Sequence, residues 1–211
     1  MQKRTSYGQK ESEQAWLSAE VDALYQLASA GVRVPAPYGF VDGVLLMELI
    51  CDADGHAAPR LGEVDFSDEQ ALEYHDRLIR EIVRMLCAGL VHGDLSEFNV
   101  LVDQNGPVII DLPQAINAAG NNNAPMMLER DVNNMRDYFG RYAPKLLTTA
   151  YGKEIWSHYE SGGLTPDIKL TGHFTESTIA ADVDGVMVVI KDAEAEELER
   201  RLREEEPPQE K

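Results

Sequence analysis

Residues 90–111 read Leu90-VHGDLSEFNVLVDQNGPVII-Asp111, a run that sets one histidine, two asparagines and several acids among short apolar segments of strand length. Val100-LV and Val108-II flank Asp103-QNG, and Asn-Gly tolerates the positive φ of a tight turn, so the spacing predicts a hairpin. A two-strand excursion brings its ends back together. It returns Asp111 toward Asn99, which itself follows Asp94 by five residues. Asp and Asn often do no more than cap turns, yet this order fits a more specific chemistry. In phosphoryl transfer an Asp accepts the proton of the attacking hydroxyl, while an Asn and a second Asp hold the magnesium that neutralises charge on nucleotide phosphates. Magnesium selects hard oxygen ligands. Asp94 supplies the base in this reading, and Asn99 and Asp111 supply the metal ligands.

Working outward, Trp16, Ala19, Ala23, Leu24 and Leu27 recur at helical spacing between Ser12 and Ala30, and Gly31, Pro35 and Pro37 stop the pattern. Tyr38-GFV and Val44-LLMELI flank Asp42-Gly43, which predicts another hairpin whose second strand is apolar enough to be buried. Residues Cys51 to Phe66 lack a period and read as a loop. Ser67-DE-Gln70 has capping-box spacing ahead of a helical stripe of Leu72, His75, Leu78, Ile79, Ile82, Val83 and Leu86, and Gly89 closes that helix. Asn117-AAGNNNAP is loop-like, whereas Met126 to Tyr142 and Lys145 to Tyr159 carry helical spacing. Asp182 to Glu206 is a charged segment that favours an exposed terminal helix.

The 211 residues, 44% of them hydrophobic, are enough for one sizeable core. No apolar run approaches the ~18 residues of a membrane span, and Met1-QKRTSYGQKESEQ lacks a secretory signal's apolar region, so a cytoplasmic protein without membrane partners is expected. Cys51 and Cys87 have neither zinc-ligand nor redox-pair spacing and read as reduced thiols. A net charge of -18 repels a phosphate backbone, which makes direct nucleic-acid binding an unfavourable expectation.

His92-GDLSEFN followed by Ile109-IDLPQ closely resembles the RIO-type atypical serine/threonine protein kinases, whose catalytic loop reads H-x-D-L-S-E-x-N and whose metal-binding segment reads I-D-x-x-Q. Gly39-FVDGVLLMEL, Asp54-GHAAPRL, Glu129-RDVNNMRDYF and Leu170-TGHF resemble further elements of that family, in order. The resemblance implies an α+β, protein kinase-like fold, mainly the helical C-terminal lobe with a hinge and short hairpins. It implies ATP and Mg2+ as cofactors and a protein substrate as partner, with ribosome-associated proteins as further partners by family analogy. By carry-over, Met47, Glu48, Leu49 and Ile50 form the hinge that meets adenine, chiefly through backbone groups of Glu48 and Ile50. Glu20 aligns with the acid that pairs with a phosphate-binding lysine, and the family's equivalent of Asp111 also accepts phosphate transiently. His92 is expected to support the loop through hydrogen bonds. Gly93 stands where ordinary protein kinases carry an arginine that reads a phosphorylated activation loop, so that switch is expected to be absent.

Residues 1–50 then form an N-lobe remnant, 51–181 the C-lobe and 182–211 an acidic tail. The first nineteen residues hold neither a G-x-G-x-x-G loop nor a strand ending in lysine, which is read as truncation, possible inactivity included. Val188-VIK imitates such a strand but precedes helix-like charged sequence, and Lys191 is not assigned a role. Two alternatives stand beside the kinase reading. One is a small-molecule phosphotransferase of the aminoglycoside or sugar type, which shares H-G-D-L-x-x-x-N. The other is a kinase-like scaffold without turnover.

Overall fold

The computed structural model describes residues 19–175. The first helix, α1, occupies residues 19–29 and buries Val21, Ala23, Leu24 and Leu27 at helical spacing. Gly31, at φ +75, turns the chain out of it. The part of the predicted helix before residue 19, the Val188-VIK stretch and the acidic tail lie outside the described residues.

After α1 the linker is tied down on two sides. The Arg33 N–H donates to the buried Glu81 carboxylate at 2.9 Å, and the Arg33 carbonyl accepts from Ile109 N–H at 2.8 Å. Strands β1 (Pro37–Val41) and β2 (Val44–Met47) then form the predicted antiparallel hairpin around Asp42 and Gly43, both at positive φ. Burial of β2 is not observed. Val44, Leu46 and Met47 are 67%, 62% and 45% exposed, because among the described residues no element covers this two-stranded sheet.

Helix α2 (Asp68–Cys87) is the spine of the core. Its capping box forms as predicted: Ser67 Oγ accepts from Gln70 N–H at 3.2 Å, and Gln70 Oε1 accepts from Ser67 N–H at 3.0 Å. His75, Leu78, Ile79, Ile82, Val83 and Leu86 are buried, while Leu72 is half-buried. Gly89, at φ +84, delivers the chain into β3 (Leu90–Val91), which pairs antiparallel with β6 (Ile116–Asn117). Between them β4 (Val100–Asp103) and β5 (Gly106–Ile109) make the second predicted hairpin, and every residue of β5 is buried.

Helix α3 (Ala124–Phe139) starts two residues before the predicted Met126, since Pro125 is tolerated in a first turn. It ends at Gly140, where a Cβ would collide with the Leu147 side chain. The single helix predicted over Lys145–Tyr159 is instead a 3-10 turn (Pro144–Thr148) and a separate helix α4 (Tyr151–Glu160). Thr149 breaks it: its backbone is extended, its hydroxyl donates to Leu146 O at 2.7 Å, and the next amide, Ala150, donates to Gly172 O. The 51–66 loop is aperiodic but not loose, for it contains a 3-10 turn (Leu61–Glu63) whose Leu61 carbonyl accepts from the Tyr138 hydroxyl at 2.6 Å. Helix α2 packs on α3, β3, β5 and α4, with the core of Leu78, Leu86, Leu95, Leu128, Met135 and Phe139 at their junction. Both cysteines are free, Cys51 half-buried and Cys87 exposed.

Candidate active site

The loop His92–Asn99 hangs from α3. Leu128, Asp131, Val132 and Met135 share one buried face of that helix, which places a carboxylate, 1% exposed, in an apolar stripe. Asp131 accepts from Gly93 N–H at 2.8 Å and from Leu95 N–H at 3.0 Å. Burial pushes its carboxyl above the ordinary range, and the two amides, His92 and Arg130 pull it back. One turn further along, Asn134 Nδ2 donates to Leu95 O at 2.9 Å, and Arg130 donates to Gly93 O. A side chain at residue 93 is sterically barred: φ is +83, and a Cβ would stand 2.6 Å from the Gln114 carbonyl oxygen. The place of an activation-loop-reading arginine is therefore closed by backbone.

Hydrogen bonds bring the segments that carry the three oxygen-bearing residues side by side. Asn99 Nδ2 donates to Asp94 O at 2.8 Å, which leaves Oδ1 as its remaining ligand atom. The Asn99 carbonyl accepts from Ile110 N–H at 3.0 Å, so the residue before Asp111 is clamped to the residue that follows Asp94 by five. His92 adds a second clamp, with Nε2 3.1 Å from Ile110 O, and is a supporting residue as its sequence position suggests. Asp111 itself sits at φ +67, a region that L-residues other than Asn and Asp rarely visit, and its side chain is exposed. Gln114 Nε2 lies 3.5 Å from Asp94 Oδ2, the outer limit of a hydrogen bond.

Above this floor lies a cleft of about 350 Å3. All four predicted hinge residues, Met47, Glu48, Leu49 and Ile50, line it together with Glu20 and Asp111. Asp94 and Asn99 are not among its lining residues; Asn99 is joined to the cleft through its backbone bond to Ile110, which lines it. Glu48 is held at both ends, since its N–H donates to Ala36 O at 2.9 Å and its carboxylate accepts from Ala36 N–H at 3.1 Å. The Ile50 carbonyl accepts from Ala58 N–H at 2.9 Å. The Glu20 carboxyl is pushed above its ordinary range, first by burial and then by the negative charge of Asp111. Two acids facing one apolar cleft call for a cation between or beside them. Among the described residues no lysine lines the cleft.

Sequence reasoning singled out Glu129-RDVNNMRDYF without giving Asp131 or Asn134 a task. The available signal was an acid at i+3 on a helical stripe of Leu128, Val132 and Met135, where burial demands partners. The tether of the preceding loop was also missed: Gly62 N–H donates to Glu97 O at 3.2 Å and Arg60 Nη1 to Phe98 O at 3.0 Å. No short-range sequence pattern encodes such bonds. Among the described residues no helix is long and apolar enough to cross a membrane.

Comparison with known proteins meets the same elements. The chain is 41% identical over 128 residues to the RIO-type serine/threonine-protein kinase Rio1 of Haloferax volcanii, a match covering 60% of this chain and 42% of that protein. Over 127 residues it is 33% identical to Rio1 of Thermoplasma acidophilum, covering 60% of this chain and 64% of the relative. With human serine/threonine-protein kinase RIO1 the identity is 34% over 134 residues, covering 63% of this chain and 23% of the relative. The chain thus spans less than two thirds of the length of each of these relatives. Among solved structures, the Rio2 kinase from Chaetomium thermophilum aligns with a TM-score of 0.59 at 23% identity over 90% of this chain and 60% of that one. The Rio2 kinase-ADP/Mg2+-phosphoaspartate complex from the same organism aligns with a TM-score of 0.56 at 22% identity, covering 92% and 59%. At that identity the likeness establishes the fold, which is protein kinase-like. With residues 1–151 matching the RIO domain, the chain belongs to the RIO family of serine/threonine kinases.

Proposed function

We propose that this chain carries the hinge, catalytic loop and metal-binding segment of an ATP- and Mg2+-dependent serine/threonine protein kinase of RIO type. The observation that carries the reading is the double clamp, Asn99 O to Ile110 N–H and His92 to Ile110 O, which ties the catalytic-loop segment to the residue before Asp111, itself a lining residue of an apolar hinge cleft. Leu45, Leu101 and Ile110 give the cleft flat apolar walls suited to a purine. The Glu48 N–H and the Ile50 carbonyl are consumed by Ala36 and Ala58, so the Glu48 carbonyl and the Ile50 N–H are the hinge groups offered to adenine, flanked by Met47 and Leu49. Asp94, exposed beside Gln114, takes the proton of the protein hydroxyl as that oxygen attacks the γ-phosphorus. Asn99 Oδ1 and the Asp111 carboxylate would hold magnesium, an all-oxygen set. When bound, the metal neutralises charge on the phosphates. Glu20 faces the same space and orients a phosphate-binding cation. We also assign residues 1–50 to the N-lobe side of the hinge, 51–181 to the C-lobe and 182–211 to an acidic tail.

Asp111 has a second role in this reading. Its carboxylate attacks the γ-phosphorus, the bond to the bridging oxygen breaks, ADP leaves and an acyl phosphate remains for water to hydrolyse. Its exposure at the cleft favours this, as does a relative whose structure is described as a phosphoaspartate complex.

Calorimetric titration of the chain with ATP, with and without Mg2+, tests the site. Tight binding only with the metal is expected, and Asp111→Ala should erase that difference. Metal-independent binding, or an unchanged titration in the variant, rejects the ligand assignment. Transfer from γ-labelled ATP to protein serine rather than to aminoglycosides or sugars separates the kinase from the small-molecule phosphotransferase.

A further inference from the structure

The end of the catalytic loop presents an aromatic ring to solvent. Phe98 stands next to Asn99 and is 59% exposed. A single exposed apolar side chain is ordinary on a protein surface; what distinguishes this one is its setting. The backbone beneath the ring is pinned three times over: Asn99 N–H donates to Ser96 O at 3.0 Å, Gly62 N–H to Glu97 O at 3.2 Å, and Arg60 Nη1 to Phe98 O at 3.0 Å. The segment that supplies Gly62 and Arg60 is itself laid along β4, with Val102 N–H donating to Pro59 O at 2.9 Å and Arg60 bridging to Leu101. The loop is thus fixed with its ring outside the core, four residues from Asp94. Four residues span at most about 14 Å, so a polypeptide whose hydroxyl lies at Asp94 brings its neighbouring side chains within reach of the ring.

Arg60 adds a charge to the same place. The chain is acidic, at net charge -18, and its arginines are commonly paired, Arg33 with Asp103 and Arg84 with Glu81 among them. The exposed Arg60 guanidinium has no carboxylate partner among the described residues. Glu63 accepts from the Arg60 backbone N–H rather than from its side chain, and Glu97 faces Arg141, at 3.8 Å. One bond to the Phe98 carbonyl leaves most of the guanidinium's five N–H donors free. The net charge of the chain opposes an acidic partner, but it is screened beyond about 8 Å at physiological salt, so the adjacent cation decides. Aromatic and arginine side chains together are the usual anchors of protein–protein contacts, and rigid loops beside a site present them well.

We propose that Phe98 and Arg60 form a substrate-recognition subsite, in which the ring takes an apolar side chain and the guanidinium a carboxylate of a protein segment, both within about four residues of the hydroxyl that receives phosphate. The subsite rests on the kinase reading, which puts that hydroxyl at Asp94.

The whole chain, with phenylalanine rings and arginine Nε labelled, is titrated in about 0.15 M salt with short serine peptides carrying leucine and glutamate, placed before the serine in one peptide and after it in the other. At least one order should shift the Phe98 ring and Arg60 Nε resonances. In that order, replacing leucine by alanine or glutamate by arginine should each weaken binding about tenfold. Phe98→Ala should erase the preference for leucine and keep that for glutamate, and Arg60→Gln should do the reverse, with circular dichroism as the control for folding. A merely structural role for either residue would not divide the two preferences in this way. Since the resonance shifts are read in the unsubstituted chain, they decide the matter even where a variant does not fold. Unmoved Phe98 and Arg60 resonances with both orders, equal binding of the glutamate and arginine peptides, or folded variants that lose both preferences alike would each overturn the subsite. Mg-ATP titration of the same sample judges the nucleotide site separately, so either reading can fail while the other stands.

Discussion

The two hairpins β1–β2 and β4–β5 are built alike and end up in opposite environments. Each pairs two short antiparallel strands about a two-residue turn, Asp42-Gly43 in one and Gln104-Asn105, ahead of Gly106, in the other. Yet Val108 and Ile109 are 2% and 0% exposed, whereas Val44 and Leu46 are 67% and 62% exposed. Turn chemistry therefore decides that a hairpin forms, and the neighbours decide what it is for. The β4–β5 hairpin has α2 on it, the Arg33 carbonyl on Ile109 N–H and Pro59 O on Val102 N–H, so it can hold catalytic groups to a fraction of an ångström. The hinge hairpin turns Leu45 and one end toward the cleft and leaves Val44 and Leu46 exposed.

Breaking the rigid hairpin's output should have the largest effect. Asp94→Ala, in a chain shown to transfer phosphate, should lower turnover by about 10²–10⁴-fold while Mg-ATP affinity is retained, as measured by single-turnover transfer and calorimetry. Undiminished turnover would remove Asp94 from the role of base. Next in size, Ile109→Ala should reduce unfolding free energy by roughly 2–5 kcal/mol in urea, because the fully buried side chain leaves a cavity. The comparison is made sharp by Leu46→Ala on the other hairpin, which should stay within about 0.5 kcal/mol. Equal losses in the two variants would mean that the hinge hairpin is covered in solution.

Between these lies a pH effect on α2. Folding lowers the His75 pKa from 6.5 to about 4, with Asp76 opposing and Tyr151 and Phe139 supplying the apolar contact. The unfolded chain then binds the extra proton, so stability rises with pH through that window and is lost as pH falls from 6.5 toward 4, by on the order of 3 kcal/mol. The difference in urea midpoint between the parent and His75→Phe should follow this slope, whereas a pH-independent difference would show that His75 is not titrating between its folded and unfolded values. Glu20 and Asp131, whose carboxyls folding raises, act in the opposite sense, which is why the comparison must be between variants.

Much of this was readable along the chain. The capping box at Ser67 and Gln70, the Asp42-Gly43 turn and the ordered trio Asp94, Asn99 and Asp111 are short-range features, in which each residue's chemistry acts on neighbours a few positions away. The misreadings share a cause. The burial of β2, the unbroken helix over Lys145–Tyr159 and the idle Asp131 all depended on distant groups: an uncovered sheet, the Gly172 carbonyl that captures Ala150, and the Gly93 and Leu95 amides.

By itself, then, the amino-acid order determined the elements, the turn positions and the chemical identity of the reacting groups, because propensity and side-chain chemistry are local. Tertiary structure alone decided that Ile110 is clamped to Asn99, that Glu20 faces Asp111 across the hinge cleft, and that His75 is buried without a partner. Those outcomes come from close packing of segments far apart in sequence, where a few tenths of an ångström settle which polar groups meet.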